Sequence, residues 1–476
     1  MYDVLIIGCG ITGAAAAFEL SRYKLRVAVL ERENDVATGT TKANSAILHA
    51  GYDPKPGSLM AKLNVRGVEL ARELCEKLDV PYKACGSMVL AFSESENAMV
   101  DELYRRGCAN GVPGLKVLTG DEAREMETNL ADTVTAALYA PSAAICSPWE
   151  YCLALAETAV RNGAELHLDT AVTGAEPMDG GWRVTTTQGV FEARYVINAA
   201  GVASQAVHEL AAPHTFTIHP ARGQYYLLDK SEGSRVGRVI FQCPNEKGKG
   251  ILVAPTVHGN LIVGPDSVPV EGEDTSTTAD GLRFVRETAA KSVPSVQINQ
   301  SIRNFAGVRA TGDTGDFIID WAAPGFLDLA GICSPGLSAA PAIGEYAAEL
   351  LERDGLTLEK KDGFICERRR VRFKELSPDE RAALVEREPA YGRVICRCET
   401  VTEGEILECL RGPIPPRSVD GVKRRVNAGM GRCQGGFCGP RVVEILAREG
   451  NVPMGDIVQD RAGTWLLARE TKGGEG

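Results

Sequence analysis

Three glycines near the N-terminus form the pattern G-x-G-x-x-G: Gly8, Gly10 and Gly13. Residues 2–7 predict a β-strand, residues 11–23 a helix, and residues 26–31 a second strand that ends in Glu31. In such a βαβ unit the first glycine permits a tight turn, the second lets the backbone approach a pyrophosphate, and the third lets the helix pack on the strand. The pattern therefore predicts a parallel α/β domain that binds a dinucleotide, with Glu31 on a ribose hydroxyl.

Three more glycine-rich segments, 37–45, 196–201 and 331–344, follow at long distances along the chain. A nicotinamide enzyme usually completes its site within one doubly wound domain, so the scattered segments favour FAD over NAD. The first segment offers hydroxyls and backbone N–H groups to phosphate and flavin, and the last precedes a helix whose N-terminus suits the flavin pyrimidine edge. Besides the three glycines and Glu31, the predicted cofactor-binding residues are Arg32, Thr40, Thr41, Lys42, Ser45, Val172, Gly201, Gly336 and Leu337.

The length of 476 residues, 44% of them hydrophobic, allows several domains with apolar cores. Short β-rich runs between residues 214 and 265 predict a mainly antiparallel sheet inserted into the α/β frame. A charged stretch at about 353–393 is the best boundary candidate and is expected to be a solvated linker with one helix. The expected division is a FAD-binding domain at 1–80, 141–213 and 300–355, a substrate or cap domain at 81–140 and 214–299, a linker at 356–389, a further small domain at 390–450, and a tail at 451–476.

The charge balance excludes some partners. With 52 Lys and Arg against 63 Asp and Glu, the net charge of −11 has the wrong sign for a protein that embraces nucleic acid. The first ten residues, MYDVLIIGCG, lack the basic start of a signal peptide and turn glycine-rich after six residues, too soon for a membrane span. We therefore expect a cytoplasmic protein without a transmembrane segment, with peripheral membrane association only through a partner.

The chain has 14 cysteines, and cytosolic thiols stay reduced, so a disulfide framework is not expected. Ten of them are scattered, whereas four form C-x-C, then 34 intervening residues, then C-x4-C: Cys396, Cys398, Cys433 and Cys438. Four thiolates brought together in this way can hold a 2Fe-2S cluster or a structural zinc ion. The spacing predicts a metal centre near the C-terminus.

The segment T-K-A-N-S-A-I-L-H-A-G-Y-D-P, residues 41–54, continues through Pro56-Gly57 to Leu63-Asn64. Over about residues 1–355 the sequence resembles the glycerol-3-phosphate dehydrogenase and oxidase branch of the D-amino-acid-oxidase-like FAD superfamily. The L-2-hydroxyglutarate dehydrogenases look similar over the same stretch. The resemblance implies a glutathione-reductase/D-amino-acid-oxidase-like α/β FAD-binding fold with an inserted antiparallel β substrate domain.

The cysteine pattern, with Gly429-Met430-Gly431 before its second pair, is also similar to a known module. It looks like the bacterioferritin-associated-ferredoxin-type domain at the C-terminus of the anaerobic glycerol-3-phosphate dehydrogenase large subunit. This resemblance implies a small helical domain and favours a 2Fe-2S cluster over zinc.

Oxidation of a secondary alcohol needs a base, and a histidine, with an ordinary pKa of about 6.5, suits that role. His49 is the candidate, and the resembling enzymes place their active-site histidine at this position. Arg309 matches the family's substrate-binding arginine, and a guanidinium binds carboxylate or phosphate with two parallel hydrogen bonds. Lys249 is a weaker candidate for a second phosphate contact. The other histidines, His258 among them, lack a motif and are expected to be structural or exposed.

The features predict a FAD-dependent oxidoreductase, and the resemblance implies that it is a dehydrogenase that oxidises sn-glycerol 3-phosphate to dihydroxyacetone phosphate. A 2Fe-2S centre takes one electron at a time, which favours a protein or quinone acceptor over oxygen, and the resembling enzymes work with further redox subunits. Two alternatives stay open. The first is an L-2-hydroxyglutarate or other 2-hydroxy or amino acid dehydrogenase, and the second is a non-catalytic electron-relay subunit.

Overall fold

The computed structural model describes residues 1–244 and 250–468, so the candidate Lys249 lies outside the described residues. The α-helices of the described chain are Ile11–Leu20, Leu59–Lys77, Glu94–Ala109, Gly120–Met126, Pro148–Arg161, Ser204–His208, Ala279–Ser292, Gly336–Arg353, Pro378–Arg387, Glu403–Leu410, Val419–Val426 and Gly439–Gly450. Within these residues, no helix combines the length and the apolar character that crossing a bilayer requires.

An eight-stranded sheet, here called the central sheet, is built around the N-terminal strand. Its strands are Tyr2–Ile7, Val27–Leu30, Glu165–His167, Val172–Met178, Gly181–Thr186, Gly189–Asn198, Ile318–Ala323 and Phe326–Ala330. The first strand pairs in parallel with Val27–Leu30 on one side and with Gly189–Asn198 on the other. It is buried from Val4 to Ile7, and the helix Ile11–Leu20 packs against it in the largest hydrophobic cluster. The predicted βαβ unit is confirmed.

A second sheet of nine strands, here called the cap sheet, is mainly antiparallel as predicted. Its strands are Ser87–Ala91, Lys116–Thr119, Ala136–Ala140, Ile218–Leu228, Val239–Gln242, Leu252–Pro255, Leu261–Gly264, Val268–Pro269 and Ser301–Gly312. Only Val239–Gln242 and Ser87–Ala91 pair in parallel among the strands described here.

The expected domain boundary at residue 300 differs from the structure. It assigns Ser301–Gly312 to the FAD-binding part, whereas this strand pairs with Ile218–Leu228 along the cap sheet from Ser301 to Gly312. A continuous antiparallel ladder makes the two strands one structural unit, because each satisfies the backbone N–H and C=O groups of the other. The strand carries Arg309 from the cap sheet toward the interior.

The charged segment at 353–393 contains one helix, Pro378–Arg387, with a capping box formed by Ser377 and Glu380. It is not a freely solvated linker, however, because three of its arginines are buried or nearly so against the FAD-binding part. The three ion pairs are Arg368 with Glu157 at 2.7 Å, Arg370 with Glu150 at 3.0 Å, and Arg372 with Asp79 at 2.7 Å. The segment is therefore fixed to the body that precedes it.

The C-terminal domain has its own hydrophobic core, which includes Ile406, Val422 and Leu446. It docks on the FAD-binding part through Asp35, which is 1% exposed and accepts hydrogen bonds from Arg424 and Arg425 at 2.8 to 2.9 Å. Burial alone would raise the pKa of Asp35, but the two guanidinium groups hold it well below its usual range. Charges buried this deeply must stay paired, so the network fixes one docking arrangement.

Candidate active site and metal centre

A cavity of about 1190 Å³ lies where the central sheet, the cap sheet and the C-terminal domain meet. It exceeds the roughly 300–1,000 Å³ of ordinary ligand sites, as a dinucleotide together with a substrate requires. All the predicted cofactor-binding residues except Gly13 line it, and so do His49 and Arg309. The structure therefore brings segments from distant parts of the chain to one site.

The glycine loop has the geometry that its motif predicts. Gly8 has a φ of +96°, and a Cβ there would lie 2.6 Å from the carbonyl oxygen of Ala199. A Cβ on Gly13 would lie 2.0 Å from the carbonyl oxygen of Gly8, so this glycine serves helix packing and does not face the cavity. Gly10 lines the cavity, and a Cβ there would meet only Thr41 Oγ1, at 3.4 Å. A bound ligand can therefore approach the backbone at Gly10.

Two helix N-termini face the same cavity. The helix Ile11–Leu20 begins after Gly10 and the helix Gly336–Arg353 begins after Pro335, so neither N-cap residue has a side chain that can accept a hydrogen bond. The Ile11 N–H donates to Thr41 Oγ1 at 3.0 Å, and the Gly336 N–H donates to the Cys333 carbonyl oxygen. The helix dipole makes such ends suitable for phosphate or for negative charge on a ring.

Glu31 lies at the end of its strand, on the cavity wall, and is 7% exposed. Its Oε2 accepts the Cys9 N–H at 2.8 Å and its Oε1 accepts the Glu33 N–H at 3.0 Å. Burial raises the pKa of Glu31 to about 7, although the two backbone N–H groups lower it. The carboxyl group is thus held in place with lone pairs left for a ligand hydroxyl.

The segment at residues 40–45 is clamped against the cap sheet. Thr40 Oγ1 donates to the Val308 carbonyl oxygen at 2.5 Å, and Ser45 Oγ lies 3.3 Å from Tyr225 Oη. Two of the predicted cofactor-binding residues form ion pairs within the protein. Lys42 pairs with Asp460, and Arg32 pairs with Glu273 at 2.5 Å. Lys42 and Arg32 therefore help to close the cavity as well as line it.

His49 is fixed from several sides. Its backbone N–H donates to Ser338 Oγ at 2.7 Å, and its carbonyl oxygen accepts from Asn64 Nδ2 at 2.8 Å. The ring stacks on Phe241 with centroids 5.6 Å apart, and its Nε2 lies 3.4 Å from Ser334 Oγ. A histidine held in this way beside a helix N-terminus is positioned for proton transfer.

Arg309 projects from the cap strand into the cavity wall. Its Nη1 donates to Ser267 Oγ and its Nη2 to the Asp266 carbonyl oxygen, both at 3.1 Å. In the described ranges 1–244 and 250–468 no carboxylate forms an ion pair with it, so its positive charge is not neutralised locally. The two neutral acceptors orient the guanidinium, which leaves its charge for an anionic ligand.

The sequence interpretation expected His258 to be structural or exposed and singled out neither Trp149 nor Glu150. The rings of His258 and Trp149 line the cavity 6.1 Å apart, and Trp149 Nε1 is buried without a hydrogen-bond partner among the residues described. His258 Nε2 lies 3.4 Å from Glu150 Oε1. Burial would raise the pKa of Glu150, but His258, Arg370 and Arg372 lower it to about 2. No local pattern marks these residues, because they meet only in the folded chain.

The donor set of the cavity suits a dinucleotide. The backbone at Gly10 offers space to a large anionic ligand, and the two helix N-termini offer it their positive dipole ends. Trp149 Nε1, which has no hydrogen-bond partner among the described residues, offers a donor. Glu31 supplies the acceptor for a sugar hydroxyl.

The four predicted metal ligands come together as two pairs. Cys398 Sγ lies 3.6 Å from Cys433 Sγ, and Cys438 hydrogen-bonds to Cys396. Metal–thiolate bonds of about 2.3 Å at a tetrahedral centre separate two sulfurs by about 3.8 Å, so the first pair has the spacing of two ligands on one metal. In the described chain no three potential ligands converge on a single metal position.

The thiols also lie among backbone donors. The hydrogen bond from Cys438 and the N–H groups of Gly429, Glu399 and Cys398 lower the pKa of Cys396 to about 6. Backbone N–H groups of Phe437 and Gly435 lower the pKa of Cys433. Hydrogen bonds to the sulfurs are a regular feature of iron–sulfur sites.

The C-terminal domain forms one wall of the cavity. Its contribution comprises Asp420, Lys423, Arg424, Met430, Gln434, Asp460, Arg461 and Thr464. Gln434 follows the ligand Cys433, and its Oε1 accepts a hydrogen bond from Arg303 Nη1 of the cap sheet at 3.2 Å. The cysteine loop therefore borders the same cavity as His49 and Arg309. Asp460, in the segment predicted to be a tail, is part of this wall.

Two family models match the chain. The FAD dependent oxidoreductase model matches residues 3–350, and the BFD-like [2Fe-2S] binding domain model matches residues 394–448. The glycerol 3-phosphate dehydrogenase of Caloramator mitchellensis is 48% identical over 99% of this chain and 99% of the relative. The L-2-hydroxyglutarate dehydrogenase of Escherichia coli strain K12 is 32% identical over 65% of this chain and 71% of the relative.

Among solved structures, the dithionite-reduced L-alpha-glycerophosphate oxidase of Mycoplasma pneumoniae with FAD bound has a similar fold. The TM-score is 0.73 at 32% sequence identity, and the match covers 77% of this chain and 98% of that one. The matched portion is thus nearly the whole of the oxidase, whereas this chain is longer.

Proposed function

The chain belongs to the FAD dependent oxidoreductase family and carries a BFD-like [2Fe-2S] binding domain, and we propose that it oxidises sn-glycerol 3-phosphate to dihydroxyacetone phosphate. One observation carries the proposal: His49, the locally unneutralised Arg309 and the loop that holds Cys433 border a single cavity. A base, an anion-binding group and a metal-binding loop are what a dehydrogenase of a phosphorylated alcohol needs at one place.

FAD bound at the glycine loop supplies a hydride acceptor. Arg309 binds the phosphate of the substrate through its fork of N–H donors, since Ser267 and Asp266 already fix the plane of the guanidinium. His49 takes the proton of the secondary hydroxyl as the hydride leaves the same carbon, so the alcohol loses one proton and one hydride to become a ketone. The clamp of residues 40–45 against the cap sheet helps to keep water out.

The cysteine pairs hold a 2Fe-2S cluster, with Cys398 and Cys433 as one pair and Cys396 and Cys438 as the other. The cluster supplies a one-electron acceptor next to the cavity. Because a carrier is built into the protein, we propose a dehydrogenase that delivers electrons to a separate redox subunit or quinone, and not an oxidase. A cytoplasmic location accords with this role, since the cysteines must stay reduced until the cluster is assembled.

L-2-hydroxyglutarate is the second candidate substrate. It is favoured by the same un-neutralised arginine, because a guanidinium binds a carboxylate with the geometry it uses for phosphate. A relay subunit without substrate chemistry is the weaker alternative, since His49 and Arg309 would then have no purpose at the cavity.

Anaerobic mixing of the purified FAD-loaded protein with each compound separates the three functions. Glycerol 3-phosphate is expected to bleach the visible flavin absorbance within one turnover, and L-2-hydroxyglutarate to do so far more slowly. Faster bleaching by L-2-hydroxyglutarate would show that it, and not glycerol 3-phosphate, is the substrate. If neither compound nor a panel of 2-hydroxy and amino acids bleached the flavin, the relay function would be correct.

A further inference from the structure

The C-terminal domain exposes part of its cysteine cluster to solvent. Cys396 and Cys438 are buried, whereas Cys398 and Cys433 are exposed. Met430 and Gln434 of the same loop border the cavity, and we call the solvent-exposed side that carries Cys398 and Cys433 the outer side. A carrier placed in this way can receive electrons on one side and deliver them on the other.

An aromatic side chain marks the outer side. Phe437, in the loop between Cys433 and Cys438, is 67% exposed, the largest value for any large hydrophobic side chain in residues 1–244 and 250–468. The guanidinium of Arg397, which lies between Cys396 and Cys398, stacks over its ring at 5.2 Å. Aromatic residues and arginine are the side chains most enriched where proteins bind one another.

The outer side is also basic. Arg397, which stacks on Phe437, is exposed, and so are Arg432 and Arg441, which flank the second cysteine pair in sequence; we call these four residues the outer patch. Arg432 pairs with Asp229 at 2.8 Å and Arg441 with Glu444 at 2.7 Å. Arg397 has no carboxylate partner within the described part of the chain, so its charge is uncompensated there.

The charge of the outer patch contrasts with that of the protein as a whole. The full chain carries a net charge of −11, so an acidic partner is repelled by most of the surface. A basic patch beside the cluster attracts such a partner only in the orientation that brings it close to the exposed cysteines. Electrostatic complementarity of this kind sets the encounter rate and the orientation more than the affinity.

We propose that the outer patch, formed by Arg397, Arg432, Phe437 and Arg441, is the docking surface for an acidic protein that carries one electron. This inference rests on the proposed function, because it needs a reduced cluster as the donor. The reduced cluster loses one electron to the oxidised carrier, which becomes reduced by one electron, and no atom is transferred. Contacts of this type are small and transient, typically below about 1,200 Å².

A plant-type [2Fe-2S] ferredoxin is a suitable acidic probe, and the basic protein cytochrome c is its counterpart. Binding of the fully loaded protein to each probe is measured by calorimetry, and the association rate constant by stopped-flow fluorescence. We expect ferredoxin to bind and cytochrome c not to, with the association rate constant for ferredoxin falling about tenfold or more between 50 mM and 500 mM salt because screening removes the attraction.

Three variants test the patch. Arg397→Glu is expected to weaken ferredoxin binding about tenfold or more, Phe437→Ala about tenfold, and Arg441→Glu several-fold. The matched control is Arg105→Glu, because Arg105 is an exposed arginine of the cap domain, 70% exposed in its side chain and paired with Glu102. This control is expected to change binding less than about twofold.

Two further measurements separate the possible failures. Each variant must retain the EPR signal of the cluster. If Arg397→Glu loses iron, the test still rests on Arg441→Glu, because Arg441 lies outside both cysteine loops. Flavin bleaching by the substrate does not use the outer patch and is expected to be unchanged in the variants. If the unaltered protein showed no bleaching, the proposed function would be wrong, whatever the outer patch binds. Unaltered ferredoxin binding in cluster-loaded variants would overturn the docking surface. Patch-dependent binding to vesicles of anionic lipid without binding to ferredoxin would also overturn it.

Discussion

The two cofactor sites of this chain are built in opposite ways. The dinucleotide cavity collects residues from Gly8 to Thr464, from both large sheets and from the C-terminal domain. The cluster site is made within residues 396–438 of one small domain with its own core. A cofactor site can therefore be recognised in the sequence from a local motif. The position at which its domain docks on the rest of the protein nevertheless decides what the cofactor can react with.

The FAD-binding part and the C-terminal domain meet at Asp35. A substitution at this contact is expected to have the largest effect on the stability of the protein. Replacement of Asp35 by Asn leaves the buried Arg425 without its carboxylate and Arg424 with Asp460 alone, which is expected to cost about 3–5 kcal/mol of unfolding free energy. Chemical denaturation near neutral pH measures the effect. Glu192→Gln, which removes an exposed ion pair with Arg183, is the control and should cost less than about 1 kcal/mol. Equal losses in the two variants would show that the joint does not hold the regions together.

The pH dependence of Asp35 has a definite sign. Its pKa in the folded chain lies below the value in the unfolded chain, so its contribution to stability is complete above the unfolded pKa and is lost as the pH falls through the folded pKa. The difference in stability between the unaltered protein and Asp35→Asn should therefore shrink in acid.

Glu31 provides a test of the cavity. The pH dependence of its contribution to stability is opposite to that of Asp35. Its pKa in the folded chain without FAD is raised from 4.5 to about 7, so the folded state holds the proton more tightly than the unfolded state. Stability should decline by about 3 kcal/mol as the pH rises from below 4.5 to above 7, because each pKa unit corresponds to roughly 1.4 kcal/mol. Denaturation of the FAD-free protein across this range, compared with Glu31→Gln, isolates the contribution. Parallel pH curves for the two proteins would refute the raised pKa.

His49 tests whether the cavity does proton chemistry. His49→Asn keeps a polar side chain but removes the base, so anaerobic flavin reduction should slow by about a hundredfold, equivalent to about 2.7 kcal/mol. Stopped-flow absorbance measures the rate. The control is His214→Asn, which changes an exposed histidine beside Glu209 and should leave the rate unaltered. A normal rate in His49→Asn would remove His49 from the reaction.

Arg309 is expected to give the smallest of these effects. Arg309→Lys keeps the charge but loses the two-pronged hydrogen bonding, which should lower kcat/KM about tenfold, mainly through KM. Steady-state assays with an artificial acceptor measure both constants. The same substitution at the exposed Arg183 should change neither. A lower kcat with an unchanged KM would mean that Arg309 does not bind the ground-state substrate.

The glycine loop was predictable from sequence because its geometry is local. Gly8 needs a φ of +96°, which favours glycine, and the distances between Gly8, Gly10 and Gly13 are set within one strand and one helix. The cysteine motif was predictable for the same reason, since its four thiols lie within one compact domain. The strand Tyr2–Ile7 and the helix Glu403–Leu410 have the bounds that the sequence predicts.

What escaped sequence analysis depends on contacts between distant residues. Arg425 and Asp35 are 390 positions apart, and Arg368 and Glu157 are 211 apart, so nothing near either residue reveals its partner. Charged stretches such as Glu367-Arg368-Arg369-Arg370 usually lie in solvent, which is why the buried ion pairs were not expected. His258 is a cavity residue only because a cap-sheet turn packs on Trp149.

The central claim is that the two sites work in series. Anaerobic rapid mixing of the fully loaded protein with glycerol 3-phosphate, followed by freeze-quenching, tests it most directly. Loss of flavin absorbance should precede an EPR signal of the reduced 2Fe-2S cluster, and Cys433→Ser should still bleach but give no such signal. A flavin that bleaches completely while the cluster of the unaltered protein stays oxidised would contradict the account.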